Sequence, residues 1–203
     1  MGYLKAQWEK YKTKSVWSKA IDVFYLAFFI AVVTPQGRTF LQRGLLELGL
    51  FSSTEVNENA ILSTTSLNWK LMDMDGNTIL FSDLQGEVIF LNFWSTWCGP
   101  CTAEMPNIIE LMERMEGRAT FVFASHEAAE TVQNYITKKE WNIPAHVYSA
   151  SPGSELHHGS LPSTFIISRE GKVVHRSSGM KNWNSKGTVD LLNTLIDATV
   201  SLN

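Results

Sequence analysis

The stretch Val88-Ile89-Phe90-Leu91-Asn92-Phe93-Trp94 is apolar at almost every position, and four residues after Trp94 the chain reads Cys98-Gly99-Pro100-Cys101. A short, nearly unbroken apolar run bounded by turn residues is the pattern of a buried strand. Pro100 suits the first turn of a helix, where its missing N–H costs nothing. A buried strand leading straight into a helix start confines the fold to the α/β class.

Those are the only two cysteines in the 203 residues, so no structural disulfide competes for them. Two thiols at this spacing close a small disulfide ring, and a helix N-terminus lowers the pKa of the first. The pair therefore points to thiol–disulfide exchange, with Cys98 attacking and Cys101, one turn inward, resolving the mixed disulfide. Gly99 and Pro100 shape the ring and its redox poise without reacting. Half of a zinc site is the competing reading, but it needs a second pair of ligands. His157-His158 is the one candidate pair, and in a turn-rich loop it reads as solvated. No metal and no cofactor is expected beyond the dithiol itself.

The N-terminus is patterned differently. Residues 1–19 carry five lysines against one glutamate, leaving twelve basic and nineteen acidic residues in the remainder. That acidic body lacks the basic stripe nucleic-acid binding requires. The apolar run Ala20–Val33 follows, closed by Pro35. As a helix it spans about 21 Å, short of a bilayer core of about 30 Å, unless it extends back to Val16 with Lys19 and Asp22 near the headgroups. A cleaved signal peptide fits the apolar length but lacks a small-residue exit site. The expectation is an uncleaved signal anchor, with residues 1–19 as a cytoplasmic head and 20–34 as the span. Residues 35–66 read as a connector: an amphipathic stretch from Phe40 to Phe51, then a polar linker from Ser52 to Ser66.

From Leu67 onward the chain alternates. Asp75-Gly76 marks a hairpin between 69–72 and 78–81. Strand 88–94 precedes a helix from Pro100 to Met115, interrupted by Pro106 and stopped at Gly117. Strand 119–124, helix 127–139, a weak strand 145–148, a hairpin around Glu170-Gly171 and a final helix from Thr188 complete it. Strands and helices in this order make a mixed sheet flanked by helices.

The motif Asn92-Phe93-Trp94-Ser95-Thr96-Trp97-Cys98-Gly99-Pro100-Cys101, followed by Glu104-Met105-Pro106, resembles the thioredoxin superfamily and, within it, the TlpA/ResA-like branch of membrane-anchored thiol-disulfide oxidoreductases. Leu161-Pro162-Ser163-Thr164 resembles that branch's cis-proline loop. The resemblance covers about residues 67–200 and implies a thioredoxin-like domain over 67–203. It implies a cis Leu161–Pro162 bond beside Cys98, with the Leu161 backbone, Pro162 and Trp97 meeting substrate. Thioredoxin has a buried Asp where this chain has Asn92, and Asn cannot titrate. The resemblance therefore assigns Glu104 to proton transfer or substrate interaction, against a plain surface carboxylate.

The resemblance further implies a protein-disulfide reductase whose domain lies outside the cytoplasm, periplasmic where there is a periplasm. Its substrates would be disulfides of exported proteins, cytochrome c maturation being one such task. Its electrons would come from a membrane thiol donor. Gly-Pro between the cysteines matches thioredoxin, at about −270 mV against about −120 mV for a strong oxidant, and favours reduction. Copper handling through the thiolates and a His, or a redox-silent docking role, are the alternatives.

Overall fold

The computed structural model describes residues 15–34, 37, 38, 41, 44, 54–56 and 60–198. The chain divides into two units, residues 1–42 and 43–203. The first contains α1, Val16–Val33, whose side chains are mostly exposed. It is long and apolar enough to cross a membrane. It begins four residues earlier than the apolar run suggested, because helical backbone continues through Lys19 and Ser18 regardless of their polarity. Its end is locally determined: Thr34 N and Oγ1 both donate to Ile30 O, and Pro35 follows. The amphipathic stretch proposed for 40–51 lies largely outside the described residues.

The second unit is built on one eight-stranded sheet: β1 Thr54–Val56, β2 Lys70–Asp73, β3 Thr78–Leu80, β4 Ile89–Phe93, β5 Thr120–Ser125, β6 Ala145–Val147, β7 Ser163–Ile167 and β8 Val173–Ser178. Their spatial order is β1-β8-β7-β4-β5-β6-β2-β3. β4–β5 and β5–β6 are parallel, and the remaining pairs are antiparallel. The helices are α2 Thr64–Leu67, α3 Gly99–Met115, α4 Ala129–Lys139 and α5 Lys186–Asp197.

Alternation along β4 distributes the core. Phe90 faces one side with Cys101, Met105 and Ile108 of α3, Val132 of α4 and Leu192 of α5. Ile89, Leu91 and Phe93 face the other, against Trp69, Phe81 and Leu156. The three longer helices of this unit, α3, α4 and α5, thus contribute to one face, and short helices and loops cover the opposite one. Asn92 has the parity of Phe90, so its amide projects toward α3.

The polar stretch before Leu67 is more ordered than a linker. Thr54–Val56 pairs with Arg176–Ser178, Ile61 bridges Lys172, and Leu62 is buried. Ser63 caps α2 by accepting from Ser66 N, and Ser66 Oγ donates to Glu155 Oε2 at 2.6 Å. Ser and Thr are caps and edge residues as readily as linker residues, so composition could not separate the two.

Candidate active site

Three loops meet at one end of the sheet because of register. Phe93 pairs with Ala124 in the parallel β5 and with Ser163 in the antiparallel β7. The chain leaving β4 toward Cys98, the chain leaving β5 toward Glu127 and the chain entering β7 from Pro162 therefore share that edge.

Cys98 is the N-cap of α3, and its Sγ accepts the Cys101 N–H at 3.2 Å. That donor, with the positive end of the helix dipole, favours thiolate once the ring opens. Pro100 occupies the first turn. A disulfide joins Cys98 and Cys101, with Cα atoms 5.3 Å apart. Cys98 is 5% exposed and Cys101 fully buried, so Cys98 is the outer of the two. Trp97 is 68% exposed beside it, whereas Trp94 is wholly inside, as its place in the apolar run suggested.

The Leu161–Pro162 bond is cis. Pro162 is buried and Leu161 half-buried, packed against the apolar cluster that includes both cysteines. Ser163 Oγ donates to Ser160 O at 2.7 Å and Gly179 N to Pro162 O at 2.9 Å, which ties the loop on both sides.

Glu104 is not a surface carboxylate. It is fully buried, one turn along α3 from Cys101. Oε1 accepts Asn92 Nδ2 at 3.1 Å; Oε2 accepts Lys181 N at 3.1 Å and Trp183 Nε1 at 3.2 Å. Asn92 Nδ2 also donates to Thr164 Oγ1 at 2.9 Å, across the β4–β7 pair, and Asn92 Oδ1 is buried without a hydrogen-bond partner. Burial pushes the Glu104 carboxyl up to about 8, against the downward pull of its three donors. A carboxyl in that range exchanges its proton near neutral pH, unlike an ordinary one.

Sequence reading placed Cys98, Gly99, Pro100, Cys101, Glu104, Trp97, Leu161 and Pro162, and the fold gathers them at one edge or just beneath it. It missed Glu127, which binds the loop before Cys98, and the Lys181 and Trp183 donors on Glu104. It also took His158 for a solvated residue. Its ring stacks on Phe93 at 3.9 Å, Nε2 lies 3.2 Å from Tyr148 Oη, and burial lowers its pKa. Glu127 had a signal, since it directly follows a strand parallel to the one carrying the motif. The other three had none. Among the described residues no three metal-ligating side chains converge.

A model of the AhpC/TSA family matches residues 63–176, more than half of the chain. The chain belongs to this family. Among AhpC/TSA relatives, a thiol-disulfide oxidoreductase ResA of Bacillus cereus is 32% identical over 115 residues, which is 55% of this chain and 66% of that protein. The chain thus spans just under two thirds of that relative's length. A ResA from a second Bacillus cereus strain is 31% identical over 137 residues, 64% of this chain and 76% of that protein. A secreted Mycobacterium tuberculosis disulfide oxidoreductase superposes with a TM-score of 0.55 at 20% identity, over 64% of this chain and all of that one. The thioredoxin-like fold is thereby established, and this AhpC/TSA member stands with the ResA thiol-disulfide oxidoreductases, the branch its motifs resemble.

Proposed function

We propose that this chain is a membrane-anchored protein-disulfide reductase in which Cys98 is the nucleophile and Cys101 the resolving thiol. One observation carries the reading: the outer sulfur of the pair sits at a helix N-cap, takes an amide N–H, and shares its edge of the sheet with a cis-proline loop. In the reduced protein, Cys98 thiolate attacks a substrate disulfide, forming a mixed disulfide and expelling one substrate thiolate. Cys101 then loses its proton and attacks Cys98 Sγ, closing the ring and releasing the second thiol. Two electrons pass from the dithiol to the substrate. Glu104 is the proposed acceptor of the Cys101 proton, since it lies one turn away and titrates near 8. Trp97, Gly99, Pro100, Leu161 and Pro162 form the proposed substrate wall, where an extended segment pairs with the Leu161 backbone.

Residues 1–19 are the proposed cytoplasmic head, α1 the proposed anchor, and the thioredoxin-like unit the extracytoplasmic catalyst. The 18 residues of α1 cover about 27 Å, close to a hydrocarbon core, and the lysines before them favour that orientation. A substrate exported across the membrane then draws electrons from a membrane dithiol donor, which restores the reduced pair. Cytochrome c precursors, with paired cysteines to be kept reduced, are a substrate class of this kind.

Insulin reduction tests the activity on the full chain in detergent, with dithiothreitol as donor. The wild type accelerates insulin reduction and Cys98→Ser abolishes the acceleration. A wild-type chain no faster than Cys98→Ser would sink the proposal.

A further inference from the structure

The loop that carries Cys98 is held by a carboxylate outside the cysteine motif. Cys98 N donates to Ser95 O at 3.1 Å, closing a turn with Thr96 and Trp97 at its central positions. Thr96 donates to Glu127 twice: N to Oε2 at 2.7 Å and Oγ1 to Oε1 at 2.8 Å. Ser125 Oγ donates to the same Oε2 at 3.2 Å and accepts Glu127 N at 3.3 Å. Both carboxylate oxygens are engaged, and hydrogen bonds to carboxylates are among the stronger ones. The turn after β4 is thereby tied to the end of β5, a neighbouring parallel strand of the same rigid sheet.

We infer that Glu127 is a positioning residue for the nucleophile, fixing the Ser95–Cys98 turn and with it the aim of Cys98 Sγ and the exposed Trp97. The inference rests on the reading of Cys98 as the attacking thiol. Attack on a disulfide requires the entering sulfur nearly in line with the bond that breaks, and small misplacements of reacting atoms cost up to about 100-fold in rate. While the ring is closed, Cys101 restrains Cys98 covalently. In the reduced form, the one that attacks, that tie is gone and the Glu127 clamp on Thr96 remains. Glu127 touches neither sulfur and acts through Thr96.

The experiment uses the reduced full chain in detergent with two readouts. One is kcat/KM for insulin. The other, in a Cys101→Ser background, is the rate at which Cys98 forms a mixed disulfide with oxidised glutathione, followed by mass. Glu127→Ala lowers both rates about tenfold, and Glu127→Gln, which keeps an oxygen for Thr96 N and an amide beside Oγ1, stays within about twofold of wild type. Adding Thr96→Val to Glu127→Ala costs nothing more, because the two share one contact. Wild-type rates in Glu127→Ala overturn the inference. So does a Glu127→Gln variant as altered as Glu127→Ala, which would make the effect one of charge. If Glu127→Ala does not fold, Thr96→Val alone breaks half the clamp; it slows both rates about threefold, and wild-type rates there overturn the inference. A chain that leaves insulin untouched defeats the reductase reading only, and the glutathione rates still read the clamp.

Discussion

Trp183 donates its indole N–H to Glu104 Oε2 at 3.2 Å across 79 residues of sequence, with both side chains buried. The ring meets Phe90 edge-on at 5.1 Å, so the donor is held from behind by the same strand face that carries Asn92. A fixed indole is thus one of three donors that pull the Glu104 carboxyl down against the larger, upward effect of its burial.

Removing that donor moves the carboxyl further up. An N–H donor stabilises the carboxylate more than the acid, so Trp183→Phe raises the Glu104 pKa above about 8. The pH dependence of mixed-disulfide resolution checks it. The basic midpoint shifts alkaline in Trp183→Phe; an unmoved midpoint separates Glu104 from the proton step.

Glu104 also makes stability depend on pH in an unusual direction. Its folded pKa is raised, so between the unfolded value of about 4.3 and the folded value of about 8 the native state holds a proton that the unfolded chain releases. Its contribution is full below about pH 4.3 and is lost as pH rises through 8, at up to about 1.4 kcal/mol per unit. Glu104→Gln removes this slope. Asn92 can turn its amide so that the unpartnered Oδ1 accepts the new N–H. Thermal melts should show the variant gaining on wild type from pH 5 to 8 and the gap levelling above 8. A pH-independent gap would contradict the raised carboxyl.

Cys101→Ser leaves Cys98 able to attack and unable to be released. Incubated with a disulfide-bonded polypeptide, this variant accumulates a covalent adduct that dithiothreitol reverses, and Cys98→Ser accumulates none. Adduct on Cys101 in the converse variant would reverse the assigned roles.

Gly153 is required by close approach. A Cβ there would sit against Ser66 Oγ and N and Glu155 Oε2, inside the clasp that joins α2 to the 154–156 turn. Gly153→Ala is expected to destabilise the thioredoxin-like unit by about 1–3 kcal/mol, read as a lower urea midpoint with little change in Cys98 reactivity. An unchanged midpoint would show that the clasp adds nothing.

How much was legible depends on the range of each interaction. The hairpin at Asp75-Gly76, the helix ending at Glu116 and Gly117, both with positive φ, and the helix opening at Cys98 are set within a few residues, and local pattern is enough to find them. Thr54–Val56 was missed because a three-residue edge strand is specified by its partner Arg176–Ser178. Glu104 was recognised as a candidate from the resemblance, but local sequence could not say that Asn92, Lys181 and Trp183 enclose it.

By itself the sequence determined the βα unit that ends in the cysteine pair, the face on which Asn92 stands, and the apolar helix before the domain. Each follows from backbone periodicity or a capping preference acting over one or two turns. Only the tertiary structure decided that Glu104 is a buried acid titrating near 8 and that Glu127 holds the turn before Cys98. Desolvation and hydrogen bonds between distant segments exist only once β4, β5 and β7 are in register, and local pattern carries no record of them.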